Sequence, residues 1–425
     1  MSDKSPGSQN VTRSMIIIGA LFFIFGFVTW LSSVLIPYLK IACQLNNFRA
    51  YLVVFSFYIS YFIMAIPSAW VLKITGFKNG MAIGLVFMAI GSFIFIPAAM
   101  HRTYGFFLTG LFIQGTGLAI LQTAANPYVT ILGPPESAAK RISFMGICNG
   151  VAGAIAPIIL GAVILADTDG LQGRINLMPA AQKLIALDTL AHRVIIPYIA
   201  IGVVLLILSV VIYFSGLPEV EAEEDEATGA ANAHKTSIFQ FPHLIVGVFT
   251  LFLYVGVEVI AGDSIVNYGA SQGIALSTAK FFTTCTLLGM LVGYVVGIIC
   301  IPKYFSQEKA LKVSAIMGII FSVAAICTNG YISIMFIAFL GLANSLMWPS
   351  IWPLAITDLG RFTKLGSSLL IMAIGGGAVL PLLYGHLADI FTPHYAYCMV
   401  VPCYMVILYY ALYGHKLRTV NTAKT

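Results

Sequence analysis

Twelve apolar runs, each about as long as a lipid hydrocarbon core is thick, dominate this chain and leave few folds open to it. They fall near residues 15–38, 50–73, 79–100, 104–132, 141–165, 193–215, 243–269, 276–301, 310–328, 331–357, 364–390 and 394–414. About twenty apolar residues wound as a helix cross about 30 Å. In lipid every backbone polar group must be satisfied within its own segment or a closed barrel. A barrel would show short alternating stretches instead. Only 9% of the 425 residues are charged, against roughly a quarter in soluble domains. The expectation is an all-α membrane protein of twelve transmembrane helices in two six-helix halves, surrounded by membrane lipid.

The net charge of +6 could point to nucleic acid, but the basic residues stand singly or in pairs at the ends of apolar runs. With both termini cytoplasmic, the inner segments carry fifteen lysines and arginines and the outer ones seven. This is the bias that orients helices in membranes. Nucleic acid is therefore excluded as a partner, and a monomer is expected. The divisions are a tail at 1–14, a first half at 15–216, a linker at 217–242, a second half at 243–414 and a tail at 415–425. The acidic, Ala/Gly-containing linker reads as a tether. The seven cysteines show no metal-ligand spacing and read as small core residues. Neither a phosphate loop nor a nucleophile with its base is visible, so neither an enzyme nor a cofactor is expected.

The halves repeat. LQTAANPYVTILGP (121–134) has its counterpart in NSLMWPSIWPLAITDLG (344–360), with Asn344 answering Gln122, Trp348 answering Asn126 and Pro349 answering Pro127. Pro157–Gly161 and Pro381–Gly385 match at an offset of 224 residues. Repeated halves with a site between them near the midplane are the plan of secondary transporters. A pyranose ring presents hydroxyls that donate and accept around apolar C–H faces, so its site needs amides or carboxylates and an aromatic platform. Gln122 with Asn126, and Asn344 with Trp348, are four apart on helix faces and are the foremost candidates. The competing reading is interhelical glue, worth about 1 kcal/mol each. Trp30 could stack on a sugar or simply pack; Asn149, Asn267 and Gln114 are weaker candidates.

Among the acids, Glu258 alone lies clearly deep in a run. A charge there costs about 3 kcal/mol on insertion scales, so it marks a functional site by default. Glu258 is expected to be protonated, water-exposed or paired with a cation. A carboxyl that only binds hydroxyls is the alternative. Asp263, five residues on, shares its face only if the helix breaks, for which Gly256 and Gly262 offer places. A solvated helix end is its plainer reading.

LQTAANPYVTILGP, LYVGVEV (253–259) and NSLMWPSIWPLAITDLG with GSSLLIMAIGGGAVLPLL (366–383) resemble the fucose:proton symporter family of the major facilitator superfamily, in its glucose/galactose transporter branch. The resemblance spans nearly the whole chain. It implies a bacterial inner-membrane protein that imports a monosaccharide with a cation, a proton or sodium. Three departures bear on coupling. Ser33 stands where the fucose branch keeps a helix 1 carboxylate, with Ser32 where relatives often have Asn. Gln122 replaces the second carboxylate, and Gly146 falls where a sugar-linked Gln is expected. Coupling, if present, is expected at Glu258 and Asp263. A facilitative sugar uniporter and a non-transporting sugar receptor are the rival readings.

Overall fold

The computed structural model describes residues 6–131, 138–166, 168, 171–215, 236–301, 304, 306–359 and 362–418. All of its regular structure is helical among those residues. The first half comprises α1 (Pro6–Thr29), α2 (Ser32–Ala42), α3 (Asn47–Met100), α4 (Tyr104–Ile131), α5 (Ala138–Ile164), α6 (Leu171–Leu177), α7 (Ala180–His192) and α8 (Ile195–Phe214). The second comprises α9 (Pro242–Asp263), α10 (Ile265–Ser271), α11 (Leu276–Ala279), α12 (Phe282–Cys300), α13 (Gln307–Cys327), α14 (Gly330–Asn344), α15 (Met347–Ile356), α16 (Thr363–Met372), α17 (Gly376–Ile390), α18 (Pro393–Ala396) and α19 (Val400–Leu412).

Eleven stretches of the described residues are long and apolar enough to span a membrane. One of them, α3, has 54 residues and would reach about 80 Å, far more than a bilayer core. It is two spans joined at Gly76, whose φ of 76° breaks the helix. The chain doubles back there, so that Gly80 lies against the Leu72 side chain. Only glycine readily adopts that backbone conformation. The twelve expected spans are thus present. A loop expected between the second and third is reduced to this single residue.

The repeat is visible in how the helices touch. A methyl group on Gly115 of α4 would collide with the Phe57 carbonyl, and one on Gly341 of α14 with the Thr286 carbonyl. Gly26 of α1 lies against the Asn149 carbonyl, whereas in the second half Gly376 of α17 lies against the Phe252 carbonyl. Small residues replace hydrophobic burial as the means of helix association in lipid. Conversely, the large apolar side chains of α8, such as Ile196 and Ile207, face outward. So do Cys285, Cys327 and Cys398; only Cys403 of the seven cysteines is buried. The core reading of the cysteines is therefore corrected, because lipid accepts a small soft side chain as readily as the interior does.

The segment between the fifth and sixth apolar runs carries α6 and α7, and the Tyr38 hydroxyl anchors α7 by donating to the Leu190 and Ala191 carbonyls. Of the linker, only its end from residue 236 is described; Ile238–Gln240 form a 3₁₀ turn under a Ser237 capping box before α9 starts. The inner basic residues Lys140, Arg141, Arg361 and Lys364, equivalent by the repeat, have side chains outside the described part.

The two halves meet along α3 with α17 and along α5 with α12. We call the end of the bundle bearing the chain termini the tail end and its opposite the far end. Contacts run from the far end, at Asn47 with Asp389, to Phe62 with Gly375. On the other seam they run from Gly161 with Lys280 to Gly150 with Leu291. One turn further, an added Cβ at Gly146 would find nothing within 4 Å. Among the described residues, the halves are closed at the far end and part toward the tail end.

Candidate functional site

Where the halves part, polar and aromatic side chains from both of them converge. In the first half, Gln122 of α4 is half-buried and its Nε2 donates to the Tyr61 hydroxyl at 3.2 Å. Tyr61 is stacked on Tyr58, with ring centroids 6.1 Å apart. Both tyrosines belong to α3, three residues apart and so on one helix face.

In the second half, Glu258 of α9 accepts a 2.7 Å hydrogen bond from Tyr254, one turn earlier. Tyr254 in turn packs beside Trp348, and Trp348 is stacked on Trp352 at 5.4 Å. Spacing of four residues places each of these pairs on one face. Tyr58 links the two sets: its ring lies against Gly377 of α17, which packs on α9. Gln122, Tyr61, Tyr58, Glu258, Tyr254 and Trp348 thus run as one string from half to half. It combines an amide, a carboxyl, phenol hydroxyls and flat apolar rings, which is the inventory a polyhydroxylated ring demands.

The remaining candidates divide. Asn344 is fully buried; its Oδ1 accepts from Tyr404 at 2.8 Å, while its Nδ2 has no partner among the described residues. Its place is behind the string rather than on its surface. The side chain of Asn126 lies outside the described residues. Asn149 is half-buried on α5, one turn from Gly146. Gln114 joins α4 to α3 by donating to the Ser92 hydroxyl at 2.7 Å, and is structural.

Trp30 offers no free platform. It is 6% exposed, its indole held between Gly153 of α5 and Gly262 of α9. It seals the seam between the halves. Asn267 is also removed from the string: it lies at the far end, where Lys40 donates to its Oδ1 and its own Nδ2 reaches Asn47, both at 3.4 Å. Ser32 and Ser33 are buried, with the Ser33 hydroxyl donating to the Trp30 carbonyl at 2.9 Å.

Two readings of α9 need correcting. The helix does not break between Glu258 and Asp263; it runs unbroken to Asp263 and stops at Ser264, beyond which α10 begins. Gly256 and Gly262 are close-approach points, against Leu380 and Trp30, and not hinges. Nor is Asp263 solvated. Its relative exposure is 0%, because residues of the opposite half cover the helix end.

Sequence reasoning missed the tyrosines of the string and the far-end junction. There the Asp389 carboxylate accepts from the backbone N–H groups of Asn47 and Phe48, each at 2.8 Å. An acid of the second half thereby caps the first turn of α3 in the first, at the positive end of its dipole. Lys40 donates to the Asn47 side chain at 2.6 Å alongside. The signal available was Asp389 following the repeated Pro381–Gly385 motif; nothing local named its partner.

The Major Facilitator Superfamily model matches residues 18–379. The chain is 35% identical over 421 residues to the glucose/galactose transporter of Brucella abortus, covering 97% of each chain. It is 28% identical to the L-fucose-proton symporter of Escherichia coli, covering 98% of this chain and 97% of that one. Its structure superposes with a TM-score of 0.72 on the crystal structure of FucP, a Major Facilitator Superfamily transporter in the outward conformation. That match has 27% identity and covers 95% of this chain and 99% of the other. The chain belongs to the Major Facilitator Superfamily, in its fucose:proton symporter family and on the glucose/galactose transporter branch, and so to a family of transporters and not of enzymes.

Proposed function

We propose that this protein imports a glucose- or galactose-type hexose by alternating access, with a cation as the driving partner. The observation that carries the proposal is the string from Gln122 to Trp348, which spans both halves where they part. Rocking of the halves would break it at Tyr58 and Gly377, so a ligand bound across it is exposed to one side at a time. Gln122 and Glu258 take the ring hydroxyls, and Trp348 lies against the C–H face. The names of the relatives in Brucella abortus and Escherichia coli support a sugar as cargo. By the distribution of basic residues, the tail end faces the cytoplasm of a bacterial inner membrane and the far end faces outward. Uptake of labelled glucose, galactose, fucose and mannose into proteoliposomes tests the assignment. Glucose or galactose is expected to enter fastest, and no entry of any of the four overturns it.

One observation favours a uniporter as the second reading: the first half contributes Gln122, an amide that cannot titrate, bonded to Tyr61. Sugar that only equilibrates, whatever proton or sodium gradient is imposed, would decide for it.

A further inference from the structure

Asp263 closes α9, and neither of its oxygens has a hydrogen-bond partner or an ion pair among the described residues. Much of what covers it belongs to the opposite half. The Trp30 indole lies on Gly262, the preceding residue, and Tyr51 and Tyr58 of α3 are close enough to feel its charge. On its own side, the Ser264 hydroxyl is engaged with Tyr397 and the Ile260 carbonyl, and Tyr384 of α17 meets Tyr51 edge-on. Lys40 of α2 is turned toward Asn47 and Asn267. A bare carboxylate in this place has lost its hydration and gained nothing in return, which is strongly unfavourable. A single proton removes the charge and needs no further ligand. Because the walls come from different halves, parting them at the far end would open the same carboxyl to water.

We infer that Asp263 is a proton-loading site: it takes a proton from far-side water while the far end is open, and the halves then close over it as a neutral acid. The inference rests on the transporter reading and adds the place and direction of coupling. Release runs to the tail side by way of Glu258, the carboxyl five residues back on the same helix and half-buried where the halves part, which yields the proton to tail-side water. One proton enters and one leaves, and no electron moves. The sign follows from the closed state holding the proton more tightly than the open state. Far-end closure is favoured at low pH and lost as pH rises.

Phe48 and His386, with rings 5.9 Å apart across the far end, give a readout that needs no sugar. Cysteines at both positions, in the full-length protein stripped of its seven native cysteines, are bridged by a bifunctional thiol-alkylating reagent, with the yield at each pH divided by the labelling of the single-cysteine proteins; the corrected yield should be high at about pH 5 and severalfold lower at about pH 9. With Asp263→Asn, whose amide mimics the neutral acid, cross-linking should stay high and flat. A pH response equal to the parent's in that variant overturns the inference. In proteoliposomes, sugar accumulation driven by an inward proton gradient should be lost in Asp263→Asn. It should also be lost in Glu258→Gln, which cannot pass a proton on. Parental accumulation in Asp263→Asn overturns the loading role, and parental accumulation in Glu258→Gln overturns the release step. Accumulation driven only by sodium also overturns it. If no sugar is carried, the cross-linking arm still decides the fate of Asp263, so the two readings fail separately.

Discussion

Gln122 and Asn344 occupy matching places in the two repeats, yet the first is half-buried against Tyr61 and the second is sealed against Tyr404. The contrast extends to charge. Both carboxyls that bear on the site, half-buried Glu258 and buried Asp263, lie on α9 of the second half, whereas the first half offers an amide and tyrosines there. A duplicated scaffold can thus divide its labour: both halves hold the cargo, and one half titrates. A buried ionisable group is expensive in a membrane, so confining both to one helix limits that expense to one place.

The comparison breaks first at Glu258. Glu258→Gln keeps a hydrogen-bond acceptor for Tyr254 but cannot titrate. Sugar accumulation against a gradient is expected to collapse to equilibration, while exchange continues at a reduced rate. Accumulation equal to the parent's would remove Glu258 from coupling. The reciprocal change, Gln122→Glu, places a titratable group in the half that lacks one. It should make uptake more dependent on pH than in the parent; an unchanged pH profile would mean that the second half alone governs coupling.

Next come the paired amides. Gln122→Ala should raise KM about tenfold, since a hydrogen bond to a ligand is worth about 1 kcal/mol or more, and water can reach the vacated position. Asn344→Ala leaves the buried Tyr404 hydroxyl without its acceptor, which costs about 1–3 kcal/mol. Its main effect should therefore be on the melting temperature, with a smaller one on KM. The reverse pattern, with Gln122 governing stability and Asn344 governing KM, would show that the repeat has been read on the wrong faces.

A smaller effect is expected at the far end. Asp389→Asn keeps one acceptor oxygen on the first turn of α3 but removes the charge that favours a helix N-terminus, worth about 0.3–1 kcal/mol. The balance should shift up to about fivefold toward the far-end-open form. Alkylation of a cysteine placed at Asn267, buried when the far end is closed, measures that shift; no gain in labelling would show that Asp389 is not the latch.

The spans, the repeat and the family were legible from apolar periodicity and from long motifs. Gln122, Glu258 and Trp348 were legible too, because a polar group or a proline inside an apolar run stands out. Other features depended on which helix lies opposite, and no local pattern carries that information. Trp30 could have been a platform until Gly153 and Gly262 were seen to close on it from two helices. Asp263 sits at a helix end, where sequence alone favours solvent, and only the docking of the α1–α2 junction and α3 from the other half makes it buried. Tyr58 and Tyr61 read as ordinary apolar-face aromatics until the Tyr61 hydroxyl met Gln122 and the Tyr58 ring met Gly377 of the other half.

The finest test uses two glycines seven residues apart on α5. Gly153 is wedged against Trp30, so Gly153→Ala forces the indole aside and should cost about 1–3 kcal/mol, as overpacking does. Gly146 faces the gap, where a Cβ meets nothing within 4 Å. Gly146→Ala should therefore change stability by less than about 0.5 kcal/mol and KM by less than about twofold. Gly146→Gln then projects an amide into the gap from the first half, at the position where the fucose branch resemblance places one. A hydroxyl-reading group alters the ranking of sugars more than it alters overall binding, because the wrong epimer leaves it unpaired. The ratio of fucose to galactose uptake should move severalfold toward fucose with little loss of stability. An unchanged ratio would mean that α5 lines the gap without reading the sugar, leaving selectivity to Gln122 and the second half.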